Sequence, residues 1–301
     1  MALVPYLRLM RPANIVTAIA DIMLGYAASG ALLYFLDGSQ TLAVSGLTPL
    51  FWLILATVGL YGGGVVFNDV FDAELDSVER PERPIPSGQV SLTAAALLGG
   101  ALLVAGILAA WQVSDLSAAI AVAVALCALL YDWKGKHHNL LGPVNMGTCR
   151  GLNLLLGVSA VPEAVEQFWY LAFIPIVYIS AITMISRGEV HGGNRKALQG
   201  AIVMYALVIG AILCLAILPE FELLYSVPFL LLFSYLIFPP LFKALSAKEP
   251  KLIMKAVKAG ILALIVMDAS IAAGFAGWPY GLVVLLLLPV SIFTAKSFAV
   301  T

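Results

Sequence analysis

A chain of 301 residues could form two soluble domains, but 62% hydrophobic residues, 11% charged residues and a mean hydropathy of +1.01 fit no soluble composition. The net charge of −1 by itself says nothing about nucleic acid, because what counts is where charges lie relative to the apolar runs, but there is no basic tail, and Cys127, Cys149 and Cys214 stand singly in apolar sequence, suggesting neither a disulfide framework nor a thiolate zinc set. The solvent is lipid, where each backbone donor and acceptor must be satisfied within its own segment, so apolar runs of about 20 residues read as spanning helices.

Taken in chain order, helices are predicted near 12–36, 49–68, 91–111, 115–132, 143–160, 168–186, 198–218, 223–243, 253–276 and 278–298, in a single all-α transmembrane domain over 1–301. The first run follows Arg8 and Arg11 and ends in Ala-Ala-Ser-Gly-Ala, the outline of a cleavable signal. It also contains Asn14 and Asp21 and is followed by many further runs, so it is predicted as an uncleaved first helix. Breaks fall at Asp37-Gly38-Ser39, Pro84 to Gly88, Gly142-Pro143, Pro162, Pro219 and Gly277-Trp278-Pro279. One bent segment at the last of these leaves nine spans in place of ten.

The basic residues test the parse independently, because Lys and Arg accumulate on the cytoplasmic side. All 16, from Arg8 and Arg11 to Lys296, fall on one face of the predicted bundle, while the opposite loops hold only Asp37, Asp115, Glu163, Glu166, Glu220 and Glu222. Both termini and the two most polar loops, around Asp69 and around Glu189, are therefore predicted cytoplasmic. Four helices separate those loops, which suits a parallel pseudo-repeat of four-helix units over about 12–132 and 143–243.

The strongest local signal is Gly62 to Asp76, where a spanning helix runs into a string of carboxylates. At 100° per residue, Asn68, Asp69, Asp72 and Asp76 share one face, and like charges packed there call for a hard divalent cation such as Mg2+, completed by substrate phosphate and water. Arg80 and Arg83 follow in a proline-stiffened loop, either as phosphate forks or as positive-inside anchors. On the same face lie Tyr131-Asp132-Trp133-Lys134, Lys136-His137-His138-Asn139, and then Asn145, Arg150 and Asn153. Arg11, Asn14 and Asp21 align on the first helix as further cavity residues, since a guanidinium or carboxylate within a span faces a polar cavity. Asp268, alone in an alanine-rich helix, reads as an interhelical hydrogen-bonding group, and His137-His138 has no partner at metal-ligand spacing. The second loop, Ser186 to Lys196, offers Glu189 with Asn194 for metal and Arg195 or Lys196 for phosphate.

Asn68-Asp69-x-x-Asp72-x-x-x-Asp76 followed by Arg80-Pro-x-Arg83-Pro-x-Pro-Ser-Gly resembles the first signature of the UbiA superfamily of intramembrane prenyltransferases. Arg8 to Asn14 and Tyr131 to Lys134 sit where that family has related motifs, and the second loop with Met146 to Asn153 looks most like the EboC-like branch. The resemblance implies a helical bundle around a cavity open to lipid and capped by two polar loops. It also implies Mg2+ holding a polyprenyl diphosphate donor, whose ionisation yields a carbocation captured by an aromatic or other lipophilic acceptor. By position, Asn68, Asp69, Asp72 and Asp76 become metal ligands or their supports, and Arg80, Arg83 and Lys134 stabilise the leaving diphosphate. The chain departs from the family in its second loop, where Glu189 and Asn194 stand in place of an aspartate pair. Rival readings are a transporter, a non-catalytic lipid-diphosphate binder and a membrane terpene cyclase.

Overall fold

The computed structural model describes residues 3–32, 46–187, 195–247 and 249–298, and every regular element among them is a helix. A short α1 (Val4–Met10) leads into α2 (Pro12–Ala28). Then follow α3 (Thr48–Phe71), the brief α4 (Ala73–Glu79), α5 (Leu92–Trp111), α6 (Asp115–Trp133) and α7 (Leu141–Val158). The second half holds α8 (Pro162–Ser186), α9 (Arg195–Ile217), α10 (Leu223–Ala247), α11 (Pro250–Ala276) and α12 (Trp278–Phe298). Serine caps start two of these: the Ser91 and Ser114 hydroxyls accept from the amides of Ala94 and Ser117.

Each of the ten predicted segments corresponds to a helix. Eight of them, α3, α5, α6 and α8 to α12, are long and apolar enough to cross a membrane. The other two do not meet that measure: α2 has 17 residues, with the end of its predicted segment, 33–36, and Asp37 outside the described residues, and α7 carries Asn145, Arg150 and Asn153. The break at Gly277 is a true turn, because its φ of 85° is open to glycine and strained for other residues. α12 consequently folds back on α11, and Tyr280 and Ser291 donate to the carbonyls of Met23 (3.0 Å) and Ala13 (3.1 Å). It runs antiparallel to α2 and returns the chain to the end of the bundle where Arg11 lies.

Lipid is as apolar as leucine, so helices here associate by close packing through small residues. The α2–α7 crossing is made by Gly25 and Gly157: a Cβ on Gly157 would sit 2.5 Å from the Ile22 carbonyl oxygen, and one on Gly25 would sit 2.3 Å from that of Leu154. Gly59 and Gly106 make the α3–α5 crossing in the same way. α11 is the central helix, with 78% of its most apolar stretch buried against 17% for α12. Gly157→Ala is expected to destabilise the fold by about 1–3 kcal/mol, since backbone cannot move aside as a side chain does. Thermal unfolding in detergent measures it, with Gly100→Ala, whose Cβ meets nothing within 4 Å, as the neutral comparison.

Candidate active site

The first polar loop is built by a helix that bends at its last carboxylates. Asn68 and Asp69 occupy the final turn of α3, Asp72 is the joint (φ −92°, ψ 4°), and Asp76 lies in α4. After α4 the prolines fold the chain tightly, with the amides of Arg83, Ser87 and Val90 donating to the carbonyls of Arg80, Arg83 and Pro84. This turns Arg83 back over the helix, where Nη1 lies 2.6 Å from Asp76 Oδ2 and 3.3 Å from Asp69 Oδ1. Arg11, reaching from the α1–α2 joint, pairs with the same Asp69 oxygen, and Lys136 from the α6–α7 connection pairs with Asp72. Asn68 donates to Asp132 at 2.7 Å.

The four predicted ligands therefore do not converge on one point. They share an end of the bundle, where Asp69 and Asp76 meet the same Arg83 while Asp72 and Asn68 turn to Lys136 and Asp132, because Asp69, Asp76 and Asp132 are buried and a buried carboxylate has to be hydrogen-bonded or paired. Among the described residues no three acidic, histidine or cysteine side chains form a cage able to hold an ion unaided. That donor set still fits Mg2+ on a phosphate, since this ion takes one or two carboxylates and draws its remaining oxygens from substrate and water. Asn68, Asp69, Asp72 and Asp76 all carry hard oxygen donors, set close together across the α3–α4 joint.

Directly beneath lies a cavity of about 260 Å³ between α2, α3, α6 and α7. Arg11, Asn14, Asn68, Tyr131 and Asp132 line it together with Arg150 and Asn153, while Leu60, Val65, Val124 and Met146 supply apolar wall. Its volume is below the range of about 300–1,000 Å³ common for ligand pockets, so a long chain bound there has to extend between the helices. A groove of about 480 Å³ elsewhere, between Phe173 and Leu207, has no charged side chain in its wall.

Asp21 stands behind the cavity. It is fully buried, 2.9 Å from Arg150 Nε, and accepts from Arg150 Nη2 at 3.2 Å and Asn153 Nδ2 at 3.0 Å. Arg150 also donates to the carbonyl of Thr17, and Thr57 donates to Asn153 Oδ1. Asp21 is thus a positioning group for Arg150 and Asn153, two polar α7 residues in the cavity wall. Asp268 is not alone as the sequence suggests: its buried carboxyl faces that of Asp21 across the α2–α11 contact, and neither oxygen receives a hydrogen bond from a described donor.

Several predicted residues lie apart. Lys134 is exposed with its ammonium 4.3 Å above the Trp133 ring, and Lys136 takes the position expected for it. Arg80 and Arg195 are exposed, at the end of α4 and the start of α9. Asn145, outside the cavity wall, bridges α6 and α7, its amide nitrogen 3.1 Å from the Cys127 carbonyl and its oxygen 3.2 Å from the Tyr131 amide. Glu189 and Asn194 lie outside the described residues. Sequence reasoning missed Asp132, Lys136 and Tyr61 as site residues. The first two are four apart at a helix end, a spacing that does carry a signal, whereas Tyr61 in an apolar span carries none. Its ring lies 5.6 Å from the Arg150 guanidinium.

The sequence pattern of the UbiA prenyltransferase family matches residues 26–255 of this chain. A digeranylgeranylglyceryl phosphate synthase of Methanothrix thermoacetophila is 35% identical over 182 residues, which cover 60% of this chain and 61% of that protein. The chain thus matches about three-fifths of that curated relative's length. Among solved structures, a UbiA homologue from Aeropyrum pernix superposes with a TM-score of 0.65 at 18% identity, covering 84% of this chain and 96% of that one. A UbiA homologue from Archaeoglobus fulgidus bound to GPP and Mg2+ does so with a TM-score of 0.65 at 14% identity, covering 91% and 99%. At those identities the likeness is one of fold.

Proposed function

This chain belongs to the UbiA prenyltransferase family, and from that premise we propose that it is an integral, multi-pass membrane enzyme transferring a prenyl group from a polyprenyl diphosphate to a lipophilic acceptor. The observation that carries the reading is the meeting, at the mouth of one cavity, of oxygen ligands on α3 and α4 with Arg11, Arg83 and Lys136. Guanidinium and ammonium groups there can donate to diphosphate oxygens as charge builds on the leaving group. Asp69, Asp72, Asp76 and Asn68 present the oxygens for metal, and Glu189 with Asn194 adds ligands from the second loop, where Arg195 supports the phosphate. Mg2+, when bound, neutralises the diphosphate during ionisation. Tyr61 and Tyr131 offer π faces to an allylic cation, and the apolar wall keeps water from it.

Of the aromatic and other lipophilic acceptors that the sequence resemblance implied, the names of the digeranylgeranylglyceryl phosphate synthases favour a glyceryl phosphate over an aromatic compound. The placement of all basic residues toward one face supports a cytoplasmic site and cytoplasmic termini. One assay tests these points: inverted and right-side-out membrane vesicles containing the protein are given prenyl diphosphates of several lengths, Mg2+, and either a prenylated glyceryl phosphate or an aromatic acid. Mg2+-dependent release of diphosphate with a prenylated product, from inverted vesicles alone, is expected. Diphosphate binding with no product under any combination would replace the enzyme by a lipid-diphosphate binder. A prenylated aromatic acid would reverse the acceptor assignment.

A further inference from the structure

Among the described residues, the four aspartates at the cavity mouth already have partners. Asp69 is held by Arg11 and Arg83, Asp76 by Arg83, Asp72 by Lys136 and Asp132 by Asn68. An ion entering this site must take carboxylates away from cations, and those cations are left in a partly buried pocket where an unpaired charge is costly. A diphosphate entering alone meets the same carboxylates as like charges. Each ligand by itself therefore faces an obstacle that the other removes.

The geometry of the basic residues suits such an exchange. Arg11 is the one non-glycine residue with positive φ among those described (φ 49°, ψ 69°), set between α1 and Pro12. A strained backbone at a joint persists where the side chain it aims has a task. Arg11 pairs with Asp69 and is itself a residue of the cavity wall, so its side chain can turn from one to the other without a helix moving. Lys136 sits in the short 3-10 turn Gly135–His137, a connection fixed at its far side by Arg187, which donates to Asn139 and to the His138 carbonyl. Its long side chain can swing while the turn stays in place. Arg83 bridges two carboxylates and keeps one if it releases the other.

We propose that Arg11, Arg83 and Lys136 are exchangeable counter-charges, paired with Asp69, Asp72 and Asp76 before substrate arrives and passed to the diphosphate oxygens as Mg2+ takes the carboxylates. Cation and diphosphate then bind as a mutually dependent pair, and the free protein has little affinity for Mg2+ alone. This rests on the reading of the site as a Mg2+-diphosphate centre.

The test is calorimetric titration of the full chain in detergent with MgCl2 alone, inorganic pyrophosphate alone, and each in the presence of the other, expressed against free-ion concentrations. In the unaltered protein each ligand is expected to raise the affinity of the other by the same factor, about 5- to 150-fold. In Arg11→Gln and Lys136→Ala the two affinities should move in opposite directions. Mg2+ alone binds more tightly, and pyrophosphate with Mg2+ binds ~10- to 100-fold more weakly, the loss of a charge-assisted bond. Arg11→Lys, which keeps the charge, should restore most of the dependence, and unfolding temperature confirms that each variant is folded. Binding of both ligands without mutual dependence, or both affinities falling together in the variants, overturns the exchange while leaving the site assignment standing. No pyrophosphate binding at any Mg2+ concentration sinks the site assignment itself.

Discussion

Asp69→Ala is expected to abolish Mg2+-dependent binding of a prenyl diphosphate and to lower turnover at least about 100-fold, the scale seen when one preorganised electrostatic group is removed from a reacting centre. Asp69 is the pivot of the mouth: buried at 5% exposure, it is held by two arginines from different parts of the chain. Its loss removes a ligand and also leaves Arg11 without its carboxylate, so both the metal and the phosphate side of the site are disturbed. Asp72→Ala should act in the same direction through Lys136. Asp268→Asn, remote from the mouth and isosteric, should change binding far less. Retained binding and turnover in the Asp69→Ala, Asp72→Ala double variant would end the metal-site reading.

The largest effect on stability is expected from Arg150→Met, at about 3–5 kcal/mol, because it leaves a buried carboxylate without its counter-charge. Arg150 and Asp21 are 4% and 0% exposed, so neither solvent nor salt screens them, and Asp268 adds a second buried carboxyl beside Asp21. The same replacement also removes the guanidinium that donates to the Thr17 hydroxyl and carbonyl oxygens. Adding Asp21→Asn to Arg150→Met should recover much of the loss, since removing both charges is far less costly than removing one. Unfolding in detergent of the single and double variants provides the comparison. A double variant as unstable as the single one would show that packing at the α2–α7 crossing, and not charge, sets the stability there.

The placement of these groups separates what a linear reading supplies from what it cannot. Composition and the length of apolar runs were sufficient for the solvent, the helical class and the ten segments, because lipid forces each segment to satisfy its backbone locally. The grouping of Asn68, Asp69, Asp72 and Asp76 at one end of the bundle was legible for a related reason: they follow one another closely across the α3–α4 joint, so local spacing keeps them near each other. The partners were not legible. Arg11 and Asp69 are 58 residues apart, Asp72 and Lys136 are 64 apart, and Asp21 and Arg150 are 129 apart. Periodicity tells that Lys134 and Lys136 both lie near the same face but not which one reaches Asp72, a choice made by the 3-10 turn after α6. Nor does it tell that Asp268 meets Asp21, or that Asp21 stands behind the cavity and not in its wall. Local spacing determines which residues share a surface; only the close crossings of the helices, such as those of α2 with α7 and α3 with α5 permitted by glycines whose added Cβ would collide with a neighbouring backbone, decide which surfaces meet.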